Sequence, residues 1–282
     1  MKTRLIKYLN LSILLLAVPA AWAETVNCTP ITDLPLPTVI TSQGVYCFTG
    51  NMITRKTSGN AIEIQANNVT IDLNGWKLGG LPAGAGTTVN GIYASNRKKI
   101  TIRNGTIRGF YQGILLDDSY PYTTSQGHLI EDIRADRNTF KGMYILGNDN
   151  IVRRNRVVNT GGSTVNSSAF GIHLEGFRGR VLNNDISGTA ATPTGVEGYG
   201  LLLTSADGAV VEGNRIDDVS SPINATGIYI QGSNGVLAAG NRITRADFGI
   251  YFDRSSSGKY MDNLTSIVTI PFTAGTSVGT NN

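Results

Sequence analysis

The chain repeats one phrase. It reads GIYIQGSNGVLAAGNRI over 227–243, and variants begin at Gly91 (GIYASNRKKITIRNGTI), Gly113 (GILLDD), Gly142 (GMYILGNDNIVRRNRVV), Gly171 (GIHLEGFRGRVLNNDI), Gly200 (GLLLTSADGAVVEGNRI) and Gly249 (GIYFDRSSSGKYMDNL). A degenerate copy, AIEIQANNVTIDLNGW, starts at Ala61. From Gly91 onward the starts are 22, 29, 29, 29, 27 and 22 residues apart. A period in this range marks stacked units, none of which buries its own apolar face alone. Each copy is glycine, a short alternating apolar strand, a polar turn, a second apolar strand, then Asn and an aliphatic residue.

Inside the copies the apolar residues alternate with period two, and β-branched and aromatic types dominate. No stretch beyond the first residues has the apolar spacing of a helix. Leucine-rich repeats share the period but need a denser leucine pattern. A parallel coil remains, in which equivalent strands pair with the turns above and below. Asn155, Asn184, Asn214, Asn241 and Asn263 recur at one bend and are expected to stack as an amide ladder.

With these residues the chain resembles the right-handed parallel β-helix proteins of pectate-lyase-like architecture. More narrowly, it resembles secreted bacterial β-helix repeat proteins without an assigned activity. The resemblance covers about residues 61–268 and implies an all-β, single-stranded right-handed parallel solenoid, which the copies above make about eight coils long. It says little about chemistry, because that architecture hosts lyases, hydrolases, esterases, epimerases and non-enzymes.

Four regions are expected. Residues 1–23 read as a signal peptide: Lys2, Arg4 and Lys7, an apolar stretch from Leu9 to Val18, then Ala21-Trp22-Ala23 as a cleavage site. Its removal takes 3 of the 24 basic residues and leaves 21 against 20 acidic ones, so the mature chain is near neutral. That balance gives no footprint for nucleic acid, and no other segment suits a membrane span. Residues 24–60 read as an N-terminal cap closed by a disulfide between Cys28 and Cys47, the only cysteines. The rival, a two-cysteine metal site, has no nearby histidine. Residues 61–268 are the β-helix, and 269–282 a C-terminal tail or cap.

The alternation assigns the faces. Ile92, Ile114, Met143, Ile172, Leu201, Ile228 and Ile250 form one inward column, and Ala94, Leu116, Ile145, Leu174, Leu203, Ile230 and Phe252 a second. Burial of each large member is worth about 1.5–3 kcal/mol. Outward stand Tyr93, Leu115, Tyr144, His173, Leu202, Tyr229 and Tyr251, beside Ser95, Asp117, Leu146, Glu175, Thr204, Gln231 and Asp253. Loops 79–90, 159–170 and 188–199 enter this strand from one side and the insertion 117–127 leaves on the other, so together they are expected to wall a groove.

Sugar rings stack on aromatic faces, and hydroxyls pair with Asp, Glu and Gln. An extended polysaccharide therefore suits Tyr93, Asp117, Tyr144, Tyr229, Gln231, Tyr251 and Asp253, and the leading expectation is a protein that binds one. The alternative is a polysaccharide lyase, glycoside hydrolase or uronate epimerase using His173, Glu175 and Tyr144 for proton transfer. A non-catalytic surface or structural component is a third. The sequence motifs of pectate lyases, polygalacturonases and alginate epimerases are absent as sets. Asp117-Asp118 and Asp217-Asp218 read as turn residues. His128 and His173 are the only histidines, so no metal and no cofactor is expected. The expected place is the periplasm or the extracellular medium; oligomeric state is open.

Overall fold

The computed structural model describes residues 27–32 and 38–282. The leader at 1–23 and the 33–37 part of the cap loop lie outside the described residues. The rest is a right-handed parallel β-helix, with 26 strands in one continuous sheet. The one helical element among the described residues is a 3-10 turn at Leu81–Ala83.

A typical coil has three strands, as in Ala169–Glu175, Arg180–Leu182 and Asp185–Ala190, each stacked in parallel on its counterpart one coil away. The register places Ile62, Ile92, Ile114, Met143, Ile172, Leu201, Ile228 and Ile250 in one vertical line. Both inward columns are buried along their whole length and form a single apolar core.

Two further rungs of the same line lack the glycine-to-asparagine phrase. Thr38–Ile40 pairs with Asn60–Ile64 at one end, and Leu264–Thr273 pairs with Arg242–Phe252 at the other. The described part of 24–60 thus contains strands stacked in the coil register, with Cys28 bonded to Cys47 across a Cα–Cα distance of 5.7 Å.

The repeated residues have mechanical roles. A Cβ on Gly171 would lie 2.5 Å from the Gly200 carbonyl oxygen and 2.7 Å from Ile186, so only glycine lets the coils approach there. Each ladder asparagine joins two coils. Asn214 Oδ1 accepts from the backbone N–H and the amide of Asn184 (both 2.9 Å), and Asn214 Nδ2 donates to Val181 O and Asn241 Oδ1 at 2.9 and 3.0 Å. The same pattern runs from Asn155 to Asn263 and ends on Asn281 of the tail, which takes the next place in the ladder.

Candidate functional site

The outward face follows the expected register, since Tyr93, Leu115, Tyr144, His173, Leu202, Tyr229 and Tyr251 pair rung by rung. The second column pairs from Leu146 through Glu175 and Thr204 to Gln231. At each repeat glycine the strand bulges, and the residue before it also joins this face. Gln112, Lys141, Phe170, Tyr199, Thr226 and Phe248 make a third column that the repeat reading missed. Its signal was the residue preceding the glycine, as in KGMYIL, FGIHLE and YGLLLT.

Three loops line this column. Thr164 N–H donates to Ala85 O (3.1 Å), Thr192 N–H to Ser167 O (2.9 Å) and Ser221 Oγ to Val196 O (2.8 Å). Loops 79–90, 159–170 and 188–199 therefore form one connected wall. The insertion differs from the opposite wall expected of it. Tyr122 turns inward, is 5% exposed, and packs with Leu115, Leu146, Tyr93 and Tyr144 over the floor of the face.

The tyrosines differ from expectation in what they present. Tyr199, Tyr229 and Tyr251 stack on one another at 4.7 and 5.1 Å with interplanar angles of 6° and 13°. Tyr144 stacks on His173 at 4.3 Å and 11°. A rung spacing of about 4.8 Å turns a column of like rings into a stack, so both faces of Tyr229 and one face each of Tyr144, Tyr199 and Tyr251 are taken by neighbouring rings, and Tyr229 offers its edge and hydroxyl outward. Face-on stacking of a sugar on Tyr229 is corrected on that ground.

His173 is also not an open surface residue: it is 6% exposed. Lys141 Nζ lies 2.9 Å from its Nδ1 and Thr204 Oγ1 3.0 Å from its Nε2. When Lys141 is the ammonium, which only donates, Nδ1 accepts and Nε2–H donates to Thr204. Burial, and then the Lys141 charge, hold the imidazole well below its usual range. It is neutral, and its 3.8 Å approach to Glu175 is not an ion pair.

Lys141, 6% exposed, has its Nζ 3.3 Å from the Tyr144 ring centroid, with Phe140 and Phe170 at 5.1 and 5.3 Å. Burial lowers its pKa to about 7 against the pull of Glu175 and Glu197. Glu175 accepts from the hydroxyls of Tyr122 and Tyr144, the latter at 2.7 Å. Burial first, then the Glu175 hydrogen bond and charge, raise both phenols, so they remain protonated donors.

The predicted residues fall into two groups. Tyr144, His173 and Glu175 touch one another, with Tyr93 and Asp117 on earlier rungs and burial raising the Asp117 carboxyl. Tyr229, Gln231, Tyr251 and Asp253 stand together farther along, past the Leu202 rung. Burial alone would raise Asp253, but hydrogen bonds from Ser256, Ser255 and the Gly232 N–H outweigh it and hold that carboxyl below its usual range.

A second histidine has the outline of a nucleophilic triad without its chemistry. Ser125 Oγ lies 2.7 Å from His128 Nε2, with Asp118 nearby in the loop. The Ile100 N–H donates to His128 Nδ1 at 3.1 Å, so Nε2 carries the proton and cannot take one from Ser125. Burial lowers His128 to about 4. Among the described residues no group of three His, Cys, Asp or Glu side chains can hold a metal ion, and no helix is long and apolar enough to cross a membrane. A concavity lined by Val236, Leu237, Lys259 and Thr276 lies away from this face and contains none of these groups.

The family described as the right-handed β-helix region matches residues 161–266. No curated protein matches. Among solved structures, the chain is similar to the enzymatically active domain of bacteriophage CBA120 tailspike protein 2: 14% identity, TM-score 0.57, covering 86% of this chain and 42% of that one. The full-length tailspike protein 2 of an Escherichia coli bacteriophage gives 14% identity and a TM-score of 0.55, covering 86% and 35%. A periplasmic alginate epimerase gives 12% identity and a TM-score of 0.47, covering 83% and 70%. The chain spans less than half the length of the tailspike chains, and at such identity the likeness is one of fold.

Proposed function

We propose that this right-handed parallel β-helix protein is exported and binds an extended polysaccharide along the outward tyrosine-bearing face. The Cys28–Cys47 bridge supports export, because disulfides persist in oxidising compartments, and the leader pattern at 1–23 agrees with it. One observation carries the binding reading. Past the buried Lys141–His173 cluster, the hydroxyl edges of Tyr229 and Tyr251 run beside Gln231 and Asp253 at rung spacing, next to the loop wall. Such a strip supplies donors and acceptors to a ligand that itself repeats along its length. Binding through edges and hydroxyls replaces the stacking first expected.

A second reading is catalytic: a polysaccharide lyase, hydrolase or epimerase. It draws on Lys141, an amine titrating near neutrality beside the Tyr144–Glu175 pair. Against it, Glu175 is occupied by two phenols and His173 is buried.

Incubation of the mature protein with cellulose, chitin, xylan, polygalacturonate and alginate separates the readings. Retention without new reducing ends or unsaturated products, lost in Tyr229→Ala but kept in Lys141→Met, is expected. Turnover abolished in Lys141→Met would replace binding with catalysis. Absence of both retention and turnover would leave a non-catalytic surface component.

A further inference from the structure

We infer that the face is blind at one end, so that the site takes the terminus of a glycan chain rather than an internal stretch; this rests on the glycan-binding reading above. The stop is the strap at 118–126. Its Tyr122 side chain lies over Leu115 and Leu146, meets Phe177 edge-on at 6.2 Å, and reaches Glu175 through its hydroxyl. Above the buried ring, Ser119, Pro121 and Thr123 are exposed and Tyr120 is 76% exposed, so the strap stands proud of the floor. It is pinned at its root, where Asp118 accepts from the Thr124 hydroxyl and from the Ser125 N–H at 2.8 Å.

Beside the strap, rings from successive coils touch along the axis. Tyr111 stacks on Phe140 at 4.9 Å, and Phe140 meets Phe170 at 5.5 Å. The other direction is open. From the Glu175 rung the floor continues through Thr204, Gln231 and Asp253, and the next partner of Tyr251 is the small Thr273. The open strip has about four rungs of about 4.8 Å each. An extended chain lying on it has one end against the strap and runs on past the Asp253 rung.

The experiment is titration calorimetry of the full mature chain with size ladders of cello-oligosaccharides, chito-oligosaccharides and oligogalacturonides, each against its parent polymer. For the series that binds, affinity is expected to rise with length and then level once the four rungs are filled. At equal polymer mass, cutting the chains tenfold shorter should raise the binding equivalents tenfold. Replacing 119–123 by two glycines removes the exposed span of the strap and should extend the rise to longer oligosaccharides, whereas Tyr122→Gly, at a φ of +60° that suits glycine, keeps the strap's backbone and should leave the plateau where it is. Binding equivalents that follow mass regardless of chain length would overturn the blind end while leaving glycan binding intact. An unmoved plateau in the shortened-strap variant would remove the strap as the stop. No binding in any series would remove the glycan reading and this inference together.

Discussion

Replacing Asn214 by Asp tests the interior ladder without changing its shape. The side chain is 1% exposed and makes four hydrogen bonds, two accepted by Oδ1 and two donated by Nδ2. In Asn214→Ala the Asn184 N–H loses its acceptor and Val181 O a donor. One buried orphan costs about 1–3 kcal/mol and each of the three further lost bonds about 1 kcal/mol, so about 4–6 kcal/mol is expected. In Asn214→Asp the acceptor remains, but the second oxygen faces Val181 O and Asn241 Oδ1, both acceptors. An unpaired buried charge adds to this, and the cost should equal or exceed that of alanine. The folded pKa of the new carboxyl must then lie above its unfolded value of about 3.9. The variant therefore recovers stability as pH falls toward that value, where a protonated oxygen again donates, and loses it as pH rises. Urea unfolding followed by circular dichroism, with amide exchange around residues 181–184 to detect segmental opening, reads both effects. An Asn214→Asp protein within about 0.5 kcal/mol of wild type, or a deficit independent of pH, would refute the ladder as the joint between coils.

Three other outcomes follow from the same contacts. Between the folded pKa of Lys141, about 7, and its ordinary 10.5, the native chain binds fewer protons than the unfolded one, so stability should climb with pH across that window; melting temperatures over a pH series should show a slope that Lys141→Met removes. Gly171→Ala forces a methyl group against the Gly200 carbonyl and should cost about 2–3 kcal/mol in denaturant unfolding, with no change expected at Gly50, where a Cβ meets nothing within 4 Å. Reducing Cys28–Cys47, which are 19 residues apart, should lower stability by about 3 kcal/mol, and equal melting with and without reductant would count against the bridge as a staple.

The coil was legible because its causes are local and repeated. Alternation decides which side of a strand faces the core, and a constant phase between glycine, strand and asparagine stacks like on like. Ile172 and Leu174 could be placed inside from FGIHLE alone. The end rungs were harder: Thr38–Ile40 carries no glycine, and its place comes from pairing with residues more than twenty positions away.

The chemistry of the outward face was decided elsewhere. Alternation says that Tyr229 points out, but not that Tyr199 and Tyr251 cover both sides of its ring. It makes His173 outward, yet Lys141 and Tyr144 from the coil on one side and Thr204 from the coil on the other bury it. The bulge at each glycine brought Lys141 to a face that a strict two-residue period would deny it, and the 118–126 strap laid Tyr122 across the floor. The sequence by itself determined the solenoid, its core and its staple, since these depend on neighbours along the chain and on a fixed rise per coil. Only the tertiary structure decided which outward groups meet solvent, because exposure depends on loops and rungs that are distant in the chain.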